Sequence, residues 1–136
     1  MDPTTERRYR WVFLAAAIYD LALGIAFTFL YAWAFDLLGI RDEAPEGAYV
    51  PLLGSFVLVL GIAYVLVYRG DLQRNRDLIL VGTIYKFAYA SVATVFWLKG
   101  DAPHAIFVVF GVVDIVFFVL MFYIWRSLGK VKSAAD

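Results

Sequence analysis

The chain contains no cysteine and a single histidine, His104, among its 136 residues. The absence of cysteine excludes disulfides, thiolate catalysis and thiolate metal ligands. One imidazole without thiolates is also too small a ligand set for a haem or a non-haem metal centre, so we predict neither a metal site nor a cofactor. We interpret His104, which precedes the last apolar stretch, as a residue of the membrane interface, with a ligand or a pH sensor as the alternative.

Charge is also scarce inside the long apolar stretches of the chain. Hydrophobic residues make up 63% of the sequence and the mean hydropathy is +0.77, which is more apolar than a soluble domain of this length can bury. Four stretches are long enough to cross a hydrocarbon core of roughly 30 Å as helices, and they cover residues 11–35, 49–68, 78–98 and 105–125. Runs such as residues 56–60 are continuously apolar, whereas a membrane β-strand would alternate. We therefore predict an all-α membrane protein, formed by one integral membrane domain over residues 1–136.

The connections between the four predicted helices are short, about 13, nine and six residues. Short connections place successive helices side by side in opposite directions, so we expect an antiparallel up-down-up-down four-helix bundle. Residues 34–40 are expected to continue the first helix along the membrane surface.

Lysine and arginine are divided unequally between the two sides of the membrane. The N-terminal flank, the second connection and the C-terminal tail hold nine of them, whereas the first and third connections hold one each, Arg41 and Lys99. Cation-rich flanks stay in the cytoplasm, so we predict a multi-pass protein of the inner membrane with both termini cytoplasmic. The acidic connection at residues 41–47 then faces outward. Because the basic flanks border the spans, we expect the lipid bilayer as their partner, and not nucleic acid.

Three ionisable residues lie inside three different apolar stretches: Asp20, Lys86 and Asp114. A charge at membrane depth is costly and needs a partner or a function. At the helical rise of 1.5 Å per residue, all three lie about 12 to 16 Å from the ends on the side of the termini, in one layer. Lys86 and Asp114 belong to successive helices, and we expect this ion pair first. Asp20 is then protonated, shares Lys86 or is neutralised by another partner.

Tyrosines and small residues accompany this layer. Hydroxyl donors to the carboxylates are expected from four tyrosines within about two helical turns, namely Tyr19, Tyr64, Tyr85 and Tyr89. Close helix packing is expected at five glycines, namely Gly24, Gly54, Gly61, Gly82 and Gly111. Because the charged residues share helix stripes with small residues, we expect the charges to face protein and not lipid.

Several functions are compatible with such a layer. It can be a buried network that keeps the bundle in register, or a proton or cation path in which a carboxylate alternates between protonated and lysine-paired states. A Schiff base on Lys86 with a carbonyl chromophore and an intramembrane enzyme with paired carboxylates are two further interpretations. No nucleophile elbow, phosphate loop or HExxH motif accompanies the carboxylates.

We therefore predict a structural or accessory subunit without enzymatic activity. It would act through lateral helix contacts, as a homo-oligomer or within a larger membrane complex. The alternative is a small homo-oligomeric proton-coupled carrier or ion-conducting protein that uses the same layer.

Short motifs follow one another along most of the chain: Tyr19-Asp20, Gly-Ile-Ala-Tyr at residues 61–64, a basic turn, Gly82 four residues before Lys86, and Asp114 in the last span. In this order of features the chain resembles a broad group of small, mostly uncharacterised bacterial membrane proteins with four helices. The resemblance implies the four-helix fold and no particular activity.

Overall fold

The computed structural model describes residues 1–40, 48–101 and 104–133, and of residues 130–133 it describes the backbone only. Five helices and no strand occur in this part of the chain. They are α1 (Pro3–Phe29), α2 (Tyr31–Leu38), α3 (Tyr49–Arg69), α4 (Arg76–Lys99) and α5 (Ala105–Ser133). All but α2 are long and apolar enough to span a membrane, which confirms the predicted all-α membrane fold. The acidic connection at residues 41–47 lies outside the described residues.

The first helix begins before the apolar stretch does. Asp2 caps α1 by accepting a hydrogen bond from the Thr5 N–H at 3.0 Å, and Pro3 occupies the first helical position, where its missing N–H costs nothing. The cap extends the helix into the polar residues that precede the predicted start at residue 11. At the other end of the chain, α5 likewise runs beyond the predicted end at residue 125.

The first apolar stretch is interrupted at Leu30, whose φ of −127° and ψ of 18° leave the helical region. The chain therefore forms a separate helix, α2, where the sequence predicts one continuous helix to residue 35. Beyond the interruption, Phe35 and Ile40, each 3% exposed, belong to a buried apolar cluster against which Phe27 packs. α2 ends at Leu38 and is capped by Gly39, whose φ of 68° suits glycine, and the N–H of Ile40 then donates to the Phe35 carbonyl.

The four long helices pack as two close pairs, α1 with α3 and α4 with α5. Glycines bring the first pair into backbone contact. A Cβ atom added to Gly24 would lie 2.5 Å from the Cα of Leu58, and one added to Gly61 would lie 2.8 Å from the backbone nitrogen of Leu21. Gly54 approaches the backbone of α1 in the same way. Three of the predicted packing glycines thus lie where α1 and α3 come closest.

The turn between α3 and α4 ties the two pairs together at one end of the bundle. Gln73 donates to the Leu128 carbonyl of α5 at 3.1 Å. From α1, Arg10 donates to the carbonyls of Tyr68 and Gly70, both at 2.6 Å. We call this the terminal end, because α1 begins there and α5 ends there, and we call the opposite end the α2 end.

Between the terminal end and the middle of the bundle, the interior is an apolar cluster that we call the terminal core. Its buried members come from α1, from α3 and the turn that follows it, and from α4 and α5. They are Phe13, Ala16, Ala17, Tyr64, Val67, Leu72, Ile79, Met121, Ile124 and Leu128. A smaller apolar cluster, built on Phe35, Ile40 and Val50, occupies the α2 end.

Candidate functional site: a buried charged layer

One ammonium group joins three helices in the middle of the bundle. Lys86 Nζ on α4 donates to Asp20 Oδ1 on α1 at 2.6 Å and to Asp114 Oδ1 on α5 at 2.9 Å. Lys86 is fully buried, and Asp20 and Asp114 are 1% and 3% exposed. The predicted buried layer is therefore confirmed, and its charges face protein.

The partners of Lys86 differ in one respect from the expected order. The sequence favours the pair with Asp114, on the neighbouring helix, whereas the structure adds Asp20 at the shorter distance. Of the three states open to Asp20, the structure contains the one in which both carboxylates share Lys86. The reason is that α1 also faces α4 across the bundle, and the long lysine stem reaches both carboxylates from there.

The layer contains two carboxylates and one ammonium. With all three ionised it would carry one negative charge in a medium that solvates charge poorly. Oδ2 of Asp20 is buried and has no hydrogen-bond partner among the described residues. Such an atom forgoes the hydrogen bonds that water would give it, which is costly for a charged group. Asp20 thus carries a fully buried oxygen with unused hydrogen-bonding capacity.

Aromatic rings surround the ammonium. The ring centroids of Tyr19, Tyr85 and Tyr64 lie 4.9, 5.3 and 5.8 Å from Lys86 Nζ, and that of Phe117 lies at 5.5 Å. Rings at these distances stabilise a cation through their π faces. They supplement the carboxylates on the sides of Lys86 that the carboxylates leave uncovered.

The tyrosine hydroxyls contact the layer less than the sequence predicts. The Tyr64 hydroxyl donates to the Gly82 carbonyl at 3.1 Å, and the Tyr89 hydroxyl donates to the Phe107 carbonyl at 3.5 Å. Both bind backbone in place of the predicted carboxylates. The Tyr19 hydroxyl is buried and has no hydrogen-bond partner in the described part of the chain.

Gly82 and Gly111, on α4 and α5, border the layer. A Cβ atom added to Gly82 would lie 2.5 Å from the ring of Tyr64, so the missing side chain makes room for that ring beside Lys86. A Cβ atom added to Gly111 would meet the Cβ of Ala93 at 3.0 Å. Gly82 therefore positions an aromatic ring of the site, whereas Gly111 serves the contact between α4 and α5.

A cavity of about 30 Å³ adjoins the layer on the side of the α2 end. Its polar lining is Asp20, Asp114, Tyr19, Tyr85 and Tyr89, and apolar side chains of α1, α3 and α5 complete it. No sequence pattern predicts this cavity directly, because a void depends on how side chains from four helices fit together. The nearest signal was the excess of tyrosine around the charged positions.

Three other sites considered from the sequence are a Schiff base on Lys86, a ligand site at His104 and a metal site. The Lys86 ammonium, bound by two carboxylates, has no free lone pair to attack a carbonyl, so the geometry lends no support to a Schiff base. His104 Nδ1 accepts a hydrogen bond from the Ile106 N–H at 3.2 Å near the start of α5. Among the residues that the structure describes, no three metal-ligating side chains are grouped so as to hold an ion.

Comparisons of the chain with protein-family models, with curated proteins and with solved structures find no match. The resemblance to small four-helix bacterial membrane proteins therefore rests on its short motifs alone.

Proposed function

We propose that the chain is a structural or accessory subunit of the inner membrane that acts through lateral helix contacts and catalyses no reaction. In this proposal both termini are cytoplasmic, and the buried layer keeps the two helix pairs in register. The observation that carries it is the pair of hydrogen bonds by which Lys86 connects α1 to α4 and α5. A bundle fixed in this way presents rigid outer faces to the membrane.

The face of α5 is the best candidate for a lateral contact. In the most apolar part of α5, 17% is buried within the bundle, whereas the corresponding share is 28% in each of the other three spans. Five of its outward residues are at least half exposed and follow the alternating three- and four-residue spacing of a helix-packing seam, namely Val109, Val112, Val116, Val119 and Tyr123. Side chains at this spacing fit the groove of another apolar membrane-spanning helix, and we propose such a helix as the partner.

Native mass spectrometry after purification in mild detergent tests this role. We expect a stable complex of fixed stoichiometry with a different membrane protein. We further expect Val116→Phe to dissociate the complex, because the larger ring disrupts the seam. Ile18→Phe is the matched control, since Ile18 is an outward residue of α1 with 62% exposure. A monomer only, or equal effects of both substitutions, would contradict the proposal.

The second candidate is a small homo-oligomeric proton-coupled carrier or ion-conducting protein. The cavity beside the carboxylates favours it, because transport needs a polar volume next to the charged layer. The terminal core on the other side of the layer opposes a continuous open path. For a carrier, native mass spectrometry should give a defined homo-oligomer, and proteoliposomes should show pH-dependent flux that Asp20→Asn abolishes.

A further inference from the structure

Several buried polar atoms in the described part of the bundle lack a hydrogen-bond partner, and most of them lie on α1. Four buried side-chain atoms lack a hydrogen-bond partner among the described residues, and three of them belong to α1: the Tyr19 hydroxyl, Asp20 Oδ2 and the Thr28 hydroxyl. Two of these residues, Tyr19 and Asp20, line the cavity. Buried polar atoms in folded proteins are as a rule bound to protein or to ordered water. A cavity bordered by two unsatisfied polar residues is therefore a place for water.

The size of the cavity fits this assignment. One water molecule needs roughly 10–15 Å³ of such volume, and the cavity offers about 30 Å³. It therefore has room for about two water molecules. They would lie next to a carboxylate of the layer that is 1% exposed and whose second oxygen is unpaired.

The two sides of the layer differ. On the α2 side, the Tyr89 hydroxyl and the Phe107 carbonyl continue the polar contacts toward the α2 end. On the opposite side lies the terminal core, whose residue Ala17 is 1% exposed and precedes Asp20 by a single helical turn. The cavity side is therefore the more polar approach to the layer.

We propose that the cavity is a water-filled proton-binding site, in which Oδ2 of Asp20 takes up one proton delivered from the α2 side. A hydronium ion in the cavity transfers its proton to Oδ2 and remains as water. Oδ1 keeps its hydrogen bond from Lys86, and the new hydroxyl donates to cavity water. The proton removes the excess negative charge of the layer without breaking an existing contact. This binding site goes beyond the proposed subunit role, and the mass-spectrometric test of that role is independent of it.

The titratable and charged groups that face Asp20 come from every long helix. Tyr19 lies on α1, Tyr64 on α3 and Asp114 on α5, and α4 contributes Tyr85, Lys86 and Tyr89. The tyrosines are neutral phenols over the pH range in which carboxylates titrate. Lys86 is engaged through Oδ1 of both carboxylates. Asp114 is therefore the competing proton acceptor, and the experiment has to distinguish it from Asp20.

Carboxyl titration makes this distinction. In protein labelled with ¹³C at the aspartate carboxyl carbons, the Asp20 resonance is identified by its loss in Asp20→Asn, and the Asp114 resonance by its loss in Asp114→Asn. We expect the wild-type Asp20 resonance to shift to the protonated position as the pH is lowered, before the Asp114 resonance moves. If the Asp114 resonance moves first, or if neither moves while the fold persists, the assignment to Asp20 is wrong.

Silver-ion labelling tests the water and its side of entry, since the native chain has no cysteine to react. Leu23→Cys places a thiol in the cavity lining, three residues after Asp20, and Ala17→Cys places one in the terminal core, three residues before it. In proteoliposomes exposed to Ag⁺ on both sides, we expect Leu23→Cys to react at least about tenfold faster than Ala17→Cys. Ile18→Cys, on the lipid-facing surface, should also react slowly, because a thiol in hydrocarbon does not ionise. Equal rates for Leu23→Cys and Ala17→Cys, or no reaction at Leu23→Cys, would overturn the proposal.

Discussion

Lys86 Nζ and Asp20 Oδ1, 2.6 Å apart, join residues that are separated by 66 positions in the chain and belong to different helix pairs. Glycine contacts hold α1 against α3, but no comparable backbone approach joins that pair to α5 in the described part of the chain. Midway along the bundle, the bond between Lys86 and Asp20 and the hydrogen bond from Tyr64 to the Gly82 carbonyl connect the pairs. In this middle part of the bundle, a few buried polar contacts therefore contribute to the relative register of the two pairs.

Removal of the ammonium should be the most damaging single change in the layer. Lys86→Met keeps most of the side-chain volume but leaves two buried carboxylates without a cation. We expect the free energy of unfolding to fall by about 3–5 kcal/mol, measured by denaturation in detergent. Lys99→Met, the same change at an exposed position at the end of α4, should cost no more than about 0.5 kcal/mol. Equal effects of the two substitutions would show that the layer contributes nothing to stability.

Multiple substitutions can show whether Lys86 needs one carboxylate partner or two. If Lys86 paired with Asp114 alone, Lys86→Met combined with Asp114→Leu would restore stability by removing both charges. Because Asp20 is also bound, we expect this double variant to remain destabilised. The triple variant that adds Asp20→Leu should unfold close to the wild-type temperature, since well-packed apolar groups replace buried ion networks at little cost. A double variant as stable as the triple one would mean that Asp20 needs no cation.

The sequence was sufficient to predict the four spans and the common depth of the three charged residues. Span length follows from hydropathy, and depth follows from the helical rise, so neither needs knowledge of tertiary packing. The closer carboxylate of Lys86 could not be predicted in this way, because it depends on how each helix is rotated and on which non-adjacent helices face each other. The same holds for the hydroxyls of Tyr64 and Tyr89, which bind backbone carbonyls instead of the carboxylates.

The interruption at Leu30 has a similar origin. Leu30 is followed by neither proline nor glycine, so no local signal predicts that α1 stops there. The gain lies in tertiary packing, because Phe35 beyond the interruption is buried against Phe27, with ring centroids 6.1 Å apart. Burial of an aromatic ring outweighs the cost of one interrupted helical turn. By hydropathy alone, the end of α1 and most of α2 form one continuous apolar stretch.

The N-terminal cap of α1 should make its first turn sensitive to acid. The backbone N–H of Thr5 holds the pKa of the Asp2 carboxyl below its ordinary value of 3.8. Because the folded pKa is the lower one, the cap stabilises the helix at pH above 3.8 and is lost as the pH falls through the folded pKa. We expect the protection of the Thr5 amide, that is, its hydrogen-exchange rate relative to the intrinsic rate at the same pH, to fall in acid. In Asp2→Asn, which caps without ionising, the protection of this amide should not change with pH, and if it falls as in the wild type the cause lies elsewhere.

Arg10 should contribute to stability through the carbonyls at the end of α3. Its guanidinium donates to Tyr68 and Gly70 and also pairs with Glu6 at 2.6 Å. The side chain is 26% exposed, so solvent replaces these bonds only in part. We expect Arg10→Met to lower the free energy of unfolding by about 1–2 kcal/mol. Arg8→Met, at an exposed position of the same helix, is the control and should leave the unfolding transition unchanged.

The backbone contact between α1 and α3 can be tested at Gly61. In an isolated helix, Gly→Ala is favourable by about 1 kcal/mol. Here the added Cβ would lie 2.8 Å from the backbone nitrogen of Leu21, which can move only if the two helices separate. We therefore expect Gly61→Ala to lower the free energy of unfolding by about 1–3 kcal/mol. Gly111→Ala is the matched comparison, because its Cβ meets one side-chain atom, the Cβ of Ala93, at 3.0 Å. Its effect should be smaller, and a stabilising effect at Gly61 would show that α1 and α3 are not in backbone contact.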